Sequence, residues 1–388
     1  MPEGRVMLGQ ALAQQIADEI TDVIGRNVLI TDAAGIVLGS GDASRVGQFH
    51  EASVEVVRSR RTIAHSSADA LELVGTLPGV TLPLVIDDAV VGTVGLSGSP
   101  AEVEQFGLVV KRQTEILMQE AARIGLRMTR ERAVTELLVD ICEWHHSRTP
   151  AGRLLRRGRT LGYDLASPRR ILLVQWDDRP QREVDSDQVA ALVRAVFDAE
   201  QDLVGPLSRT VVAVAGGTPD NVDQCTELLD RAADRGLALR IAIGSPASGV
   251  AALNVSARDA YDALQVGPIA APDARIHPID EVRLHQALSV VPIDSRVRLT
   301  EGLLGPLLAD RDWPALRETL IAWGDCAFTV SRAAARLHVH RNTLIYRLEK
   351  VARVLDRSLD EPGLAVALYV TCVLDGLTAA GSGPQQSP

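Results

Sequence analysis

The densest run of hydrogen-bonding chemistry lies near the carboxyl end, in TVSRAAARLHVHRNTLIYRLEKVARVL (329–355). His340, Arg341, Asn342, Thr343, Tyr346 and Arg347 crowd donors into eight residues, and Ser331 adds a hydroxyl just upstream. Side chains of these types contact phosphate oxygens and base edges. Leu344, Leu348 and Val351 recur at helical spacing between them, so apolar and donor residues fall on opposite faces. The pattern predicts a helix from about Ser331 to Leu337, a turn at His338-Val339, and a second helix from near Arg341. Ala333, Ala334 and Ala335 let the two helices cross closely and Val339 plugs the turn, which is helix-turn-helix grammar.

The charge distribution points the same way. The chain has 388 residues, 40 Lys+Arg and 50 Asp+Glu, for a net charge of -10. Between 329 and 357, however, seven basic residues (Arg332, Arg336, Arg341, Arg347, Lys350, Arg353, Arg357) face only Glu349 and Asp356, a local net of +5. A polyanion would have to be met by this local face, because the global field repels it. Lys occurs only at 111 and 350, so single arginines carry less weight than their clustering.

A second group of chemistry-bearing residues sits early, in GSGDASRVGQFHE (39–51). Gly39 and Gly41 permit close backbone approach. Ser40, Arg45 and His50 are donors that could hold a carboxylate or hydroxyls, aided by the positive N-terminus of the next helix. The same residues are also ordinary turn and cap chemistry.

The elements that must position these groups follow from periodicity. Residues 8–24 carry an amphipathic helix stripe, Leu8, Leu12, Ile16, Ile20 and Ile24. NVLITDAAGIVLGSG (27–41) and TLPLVIDDAVVGTVGLSG (81–98) read as antiparallel hairpins, with HEASVEVVRSRR as a helix between them. Helix, hairpin, helix, hairpin, helix describes a PAS-like α+β sensor. Residues 101–143, free of proline, form one long helix or two, packed on the sensor or on a twofold partner helix, the latter being favoured. Strands are predicted at 169–177, 202–207, 210–217 and 237–244, with helices at 185–200 and 221–235 and another around SARDAYDALQV. Pro292 and Pro306 mark a linking stretch, and everything from 312 is helical until the polar tail GSGPQQSP, expected to be disordered.

Three resemblances join these pieces. VHRNTLIYRL (339–348), after its Ala-rich helix and turn, is similar to the PucR-type C-terminal helix-turn-helix, over about the last seventy residues. That implies Arg341, Asn342 and Tyr346 on base edges and Thr343 and Arg347 on phosphates, with Ser331 and His340 in the same interface. GSGD..R.G..HE followed by GVTLPLVIDDAVVGTVGLSGSP (79–100) resembles the sensor of the bacterial sugar diacid regulator family. It implies a domain binding a polyhydroxy acid of the glucarate, galactarate or glycerate class, its pocket drawn from Ser40, Gly41, Asp42, Arg45, His50 and Glu51 and the strand Leu82-Pro83-Leu84. The middle segment resembles that family's degenerate GGDEF-like domain. Where a cyclase carries its acidic loop, this chain reads GPLSRT (205–210), without the carboxylates that hold Mg2+.

The expected organisation is therefore a multidomain α+β chain: sensor with long helix 1–130, degenerate GGDEF-like domain 131–290, linker 291–311, helix-turn-helix domain 312–380 and tail 381–388. The expected function is a cytoplasmic, ligand-responsive transcription regulator that is not an enzyme. Its expected partners are operator DNA with twofold-related half-sites, a small sugar acid and a second copy of the chain. The alternatives are residual nucleotide cyclase or phosphodiesterase activity in the middle domain, and a DNA-binding scaffold that has lost its ligand. Four scattered cysteines signal neither disulfide framework nor zinc site. His145-His146 with Glu143 lack a third ligand in register, so no metal or cofactor is expected. The amino terminus lacks the basic and apolar regions of a secretory signal, and Asp87-Asp88 interrupt the best candidate span, so no membrane partner is expected.

Overall fold

Alternation of apolar and polar residues in the first strands dictates a sheet with two unlike faces. The computed structural model describes residues 9–176, 185–216 and 221–381 and divides into two compact units, Met1–Arg130 and Glu131–Pro388. The first holds α1 (Gln10–Ile24), β1 (Val28–Asp32), β2 (Val37–Ser40), a 3-10 turn (Ala43–Arg45), α2 (Glu51–Ser59), β3 (Ile63–His65), α3 (Ser67–Leu71), β4 (Gly79–Ile86), β5 (Ala89–Ser97) and the start of α4 (Pro100–Cys142). Its five strands form an antiparallel sheet in the order β2-β1-β5-β4-β3. The β4–β5 hairpin turns on Asp87 and Asp88, both with positive φ. That is the paired left-handed conformation matching strand twist in a two-residue hairpin.

Register sorts the faces. Val28, Ile30, Val80, Leu82, Leu84, Ile86, Val94 and Leu96 pack against Ala13, Ile16 and Ile20 of α1 and Val103, Val110 and Met118 of α4. The opposite face carries Thr31 beside Thr93 and Pro83, and Thr81 beside Gly95. β3 and α3 have no counterpart in the expected hairpin order, because a three-residue strand shows no periodicity. It exists through its pairing, Ile63 with Thr81 and His65 with Gly79.

The second unit continues from the end of α4 through α5 (Ala151–Thr160), β6 (Arg170–Trp176), α6 (Ser186–Arg194), β7 (Leu203–Ser208), β8 (Val211–Gly216), α7 (Val222–Ala233), β9 (Leu239–Ile243), α8 (Val250–Ala270), β10 (Ile276–Pro278) and α9 (Ile279–Ser289). The sheet order is β10-β9-β6-β8-β7, with β10 parallel to β9 and the other pairs antiparallel. Leu172, Val174 and Trp176 face α6 and α7, while Ile171 and Leu173 face α8 and Leu137, Leu138 and Ile141 of α4. The expected start of the first helix stripe at Leu8, the strand ends at 177 and 217 and the tail from 382 lie outside the described residues.

The carboxyl-terminal helices are α10 (Ile293–Leu308), α11 (Trp313–Asp325), α12 (Val330–Arg336), α13 (Arg341–Leu355) and α14 (Leu364–Gly381). The stretch 291–311, expected as a linker, is thus a helix of this bundle, with Leu304 and Leu307 in its core. Pro292 stands at its N-cap, where the missing N–H costs nothing; Pro306 lies inside the helix and forgoes one ladder hydrogen bond, and the helix persists there with Leu304 and Leu307 buried in the bundle core. Val373 and Leu377 of α14 reach the core of the middle sheet, joining bundle and sheet in one unit. Among the described residues no helix is long and apolar enough to cross a membrane.

Leu344 is wholly buried and Tyr346 is 58% exposed on the same helix. Leu344→Ala should cost about 2–5 kcal/mol and Tyr346→Ala under about 0.5 kcal/mol. Urea unfolding midpoints check this; similar losses for both would contradict the assigned faces of α13.

Candidate DNA-recognition helix and sensor cluster

α12 stops where His338 takes a left-handed φ of 53°, with the Val339 N–H bonded back to Ala334 O at 3.0 Å. α13 then starts after His340, whose Nδ1 accepts the Asn342 N–H at 3.2 Å. His340, expected as a contact residue, therefore caps the helix it opens. Ala333 and Ala334 are buried at the α12 and α13 crossing, beside Leu344, Leu348 and Val351. Ser331, Arg341, Asn342, Thr343 and Tyr346 are left exposed. Arg347 is half-buried and donates to Thr319 Oγ1 of α11 at 3.2 Å, so its guanidinium braces α11.

Tertiary packing also redistributes the charge. Lys350 Nζ sits 2.7 Å from Asp310 and 2.7 Å from Asp312, Arg336 pairs with Asp325 at 2.9 Å, and Arg357 pairs with Glu361. Four carboxylates from outside 329–357 thus answer three of the seven basic residues. Arg332, Arg341 and Arg353 make no ion pair among the described residues and are exposed. Arg332 and Arg353 were not singled out in sequence; only the pairing of their neighbours distinguishes them. Asp325 does double work, also accepting from Tyr369 Oη at 2.6 Å, which ties α11, α12 and α14 together. Burial and this carboxylate push the Tyr369 phenol well above its ordinary range.

In the sensor, the expected residues separate into two places. Ser40 and Gly41 form a tie at the end of β2. Gln14 brackets the Ser40 backbone (2.8 and 3.1 Å), Asn27 Oδ1 accepts the Asp42 N–H at 2.7 Å, and a side chain at Gly41 would strike Thr21. Asp42 caps the 3-10 turn through Ser44, and its carboxyl is held below the ordinary range by those hydrogen bonds. Glu51 accepts the Val74 N–H at 2.8 Å. Leu82 and Leu84 belong to the apolar face against α1 and α4, away from the polar face where Pro83 lies beside Thr93. The pleat forces this split, since neighbours in a strand point oppositely.

Arg45 and His50 instead converge with residues the sequence did not flag. His50 Nδ1 lies 2.7 Å from Ser53 Oγ, Ser53 Oγ lies 2.7 Å from Thr93 Oγ1, and Thr93 Oγ1 lies 2.8 Å from Thr31 Oγ1. His65, on the same sheet face, is buried with Nε2 lacking a hydrogen-bond partner. Arg45 donates to the Gly75 carbonyl. Burial, together with Arg45 and His65, brings the His50 pKa down to about 4, and burial lowers His65 as well. The only available signal was the H-x-x-S spacing of His50 and Ser53 across one helical turn; His65 and Thr93 arrive through strand pairing.

Comparison with known proteins follows the same three parts. A sugar diacid recognition family matches residues 8–141, a GGDEF-like domain family 145–266, and the PucR C-terminal helix-turn-helix domain family 316–374. The chain is 28% identical to the carbohydrate diacid regulator of Escherichia coli (strain K12), over 95% of this chain and 98% of that protein. The chain thus carries a sugar diacid recognition domain and a PucR-type helix-turn-helix domain, and over nearly its whole length it is similar to a carbohydrate diacid regulator. It is also 24% identical to the uncharacterized protein YsfB of Bacillus subtilis (strain 168), over 94% of this chain and 98% of that protein. It is 32% identical to the purine catabolism regulatory protein of the same organism, over 28% of this chain and 21% of that protein. The chain is accordingly a transcriptional regulator with a carboxyl-terminal helix-turn-helix.

In the regulator's middle domain the β7–β8 hairpin pairs Ser208 with Val211, leaving Arg209 and Thr210 at its tip. Among the described residues no group of three or more His, Cys, Asp or Glu is placed to hold a metal. The His145 and His146 rings stack on each other at 4.9 Å, and His145 bonds Ser147.

Because the His50 pKa falls from an ordinary 6.5 to about 4 on folding, the unfolded chain holds the extra proton between those values. Sensor stability should therefore fall as pH drops from 6.5 towards 4, by at most about 1.4 kcal/mol per pH unit from this group. Urea midpoints of the regulator and of His50→Asn at pH 7, 5.5 and 4.5 test it. An unchanged slope in the variant would remove His50 from the account.

Proposed function

We propose that this regulator binds operator DNA through the amino-terminal end of α13 and responds to a small sugar acid of the glucarate, galactarate or glycerate class held in its first domain. One observation carries the DNA reading: a helix with Leu344, Leu348 and Val351 locked in a core leaves Arg341, Asn342, Thr343 and Tyr346 exposed. A recognition helix presents its first turns to base edges in the major groove in this way. Arg341, Asn342 and Tyr346 then read bases, Thr343 and Ser331 contact the backbone, and Arg332 and Arg353 supply phosphate contacts.

The regulator acts as a dimer on twofold-related half-sites. In support, the sensor carries an apolar groove of about 440 Å³ lined by Ile20, Val23, Ile24, Phe106, Val109 and Leu117 between α1 and α4. Leu108 and Val109 are more than two-thirds exposed on the same stretch of α4, an apolar surface suited to a second copy. The effector acts by binding two arrangements of the dimer unequally, a coupling of about 1–3 kcal/mol. The middle domain serves as a structural part without cyclase activity; a cyclic dinucleotide formed from GTP and Mg2+ would overturn that assignment.

Titrations of promoter DNA by fluorescence anisotropy over a salt series check the interface. Arg341→Ala should cost about 1–3 kcal/mol and relax specificity at one position, whereas Arg353→Ala should weaken all sequences alike and reduce the salt slope by about one. Lys350→Ala, whose charge is already answered by Asp310 and Asp312, should leave the slope unchanged. A Lys350 effect as large as that of Arg353 contradicts this map of the interface.

A further inference from the structure

We propose that the effector's carboxylate and its neighbouring hydroxyl bind on the polar face of the sensor sheet, among Arg45, His50, His65, Ser53, Thr93 and Thr31, and not at the Gly-Ser-Gly-Asp turn. This inference rests on the effector reading above and supplies its site.

The first argument is an unbalanced charge. Arg45 is only 8% exposed, yet among the described residues it forms no ion pair; the partner of its guanidinium is the neutral Gly75 carbonyl. A buried cation is costly unless an anion is supplied. The acidic side chains whose fields reach the cluster stay at its margin. Asp42, exposed, acts weakly on Arg45, and Asp69 and Glu55, also exposed, act on His65. Glu51 is committed to the Val74 N–H.

The second argument is an unmet hydrogen bond. His65 is 3% exposed and its Nε2 has no partner. Strand register puts His65 on the same face as Thr81, Thr93 and Thr31, and α2 brings His50 and Ser53 onto that face. His50 feels both Arg45 and His65, so the three basic groups share one region. A guanidinium and two imidazoles suit a carboxylate, and a chain of three hydroxyls beside them suits an adjacent alcohol.

The third argument is the missing side chain at the centre of this face. Gly95 lies there between Thr81 and Leu29 in register. A methyl placed on it would already be in van der Waals contact with Thr81 Oγ1 at 3.7 Å and Leu29 at 3.8 Å, so the glycine lets a small group approach the backbone where a larger side chain would block it. The segment carrying Gly75 packs on Phe49 and His50 at the edge of this cluster. Gly75, at φ +66°, approaches so near that a side chain would lie 2.1 Å from the Phe49 carbonyl, while its own carbonyl holds Arg45. Entry of a carboxylate exchanges that carbonyl for a charged acceptor, the stronger partner of the two. By contrast the Ser40, Gly41 and Asp42 backbone is already satisfied by Gln14, Val28 and Asn27 in turn.

The test uses the full chain, with glycerate, glucarate and galactarate as probes and glycerol and acetate as controls, read by thermal shift and calorimetry. At least one hydroxy acid should raise the Tm of the regulator while glycerol does not. Arg45→Met should weaken that acid about 30-fold or more. It should also leave the Tm without ligand equal or higher, since an unpaired buried charge is removed. His65→Leu and Gly95→Val, one removing the open ring nitrogen and one blocking the approach to the backbone, should likewise lose the response. If an acid stabilises the regulator and all three variants equally, the effector reading stands and this site is wrong. A response lost in Arg45→Met only together with a lowered Tm, but kept in His65→Leu and Gly95→Val, overturns the site as well. If none of the three acids shifts the regulator itself, the effector reading fails and takes the site with it.

Discussion

The carboxyl-terminal bundle depends on one packed row, Leu344, Leu348 and Val351 of α13 seated among Leu304 and Leu307 of α10, Leu320 of α11 and Leu368 of α14. Burial of such side chains is worth about 1.5–3 kcal/mol each, far more than any exposed ion pair nearby. Because the row runs along one side of a 3.6-residue helix, it sets the helix rotation, and with it which side chains meet the solvent. The hydrogen bond from Arg347 to Thr319 and the Asp325 bridge to Arg336 and Tyr369 then fix the crossing of α11, α12 and α14. Which donors α13 leaves at the surface is a consequence of where the leucines go.

The sensor obeys the opposite economy on half of its sheet. One face is an apolar contact with α1 and α4, while the other buries threonines, a serine, two histidines and an arginine. Each hydroxyl in the chain from His50 to Thr31 has a neighbour, so the network as a whole is stable in a low-dielectric setting. Two members, the Arg45 charge and His65 Nε2, remain unbalanced. Stability forgone at such places is the usual mark of a surface built for something that arrives later.

Charge illustrates why linear counting misleads. The run 329–357 reads as net +5, but its basic groups serve two purposes. Arg336, Lys350 and Arg357 are structural, held by carboxylates that arrive from α11, from the segment between α10 and α11 and from the stretch before α14. Arg332, Arg341 and Arg353 make no ion pair among the described residues and stand exposed, so the positive charge of this run is concentrated on three side chains.

Local pattern was enough for the helix-turn-helix, because Ala-rich packing, the turn at His338-Val339 and the leucine spacing are all short-range. It was enough, too, for the two hairpins and for the Asp87-Asp88 turn, whose conformation is a property of a few adjacent residues. Residues 291–311 carry two prolines that signal breaks locally, and only the burial of Leu304 and Leu307 in the bundle makes the stretch a helix through Pro306. Tertiary structure alone decided the sensor cluster. His65, Thr93 and Thr31 come from three strands up to 62 residues apart, and no periodicity within a segment encodes the register that aligns them. It also decided which of the early donors are structural: Ser40 and Asp42 look as free in sequence as Arg45 and His50, and only long-range contacts with α1 and Asn27 distinguish them.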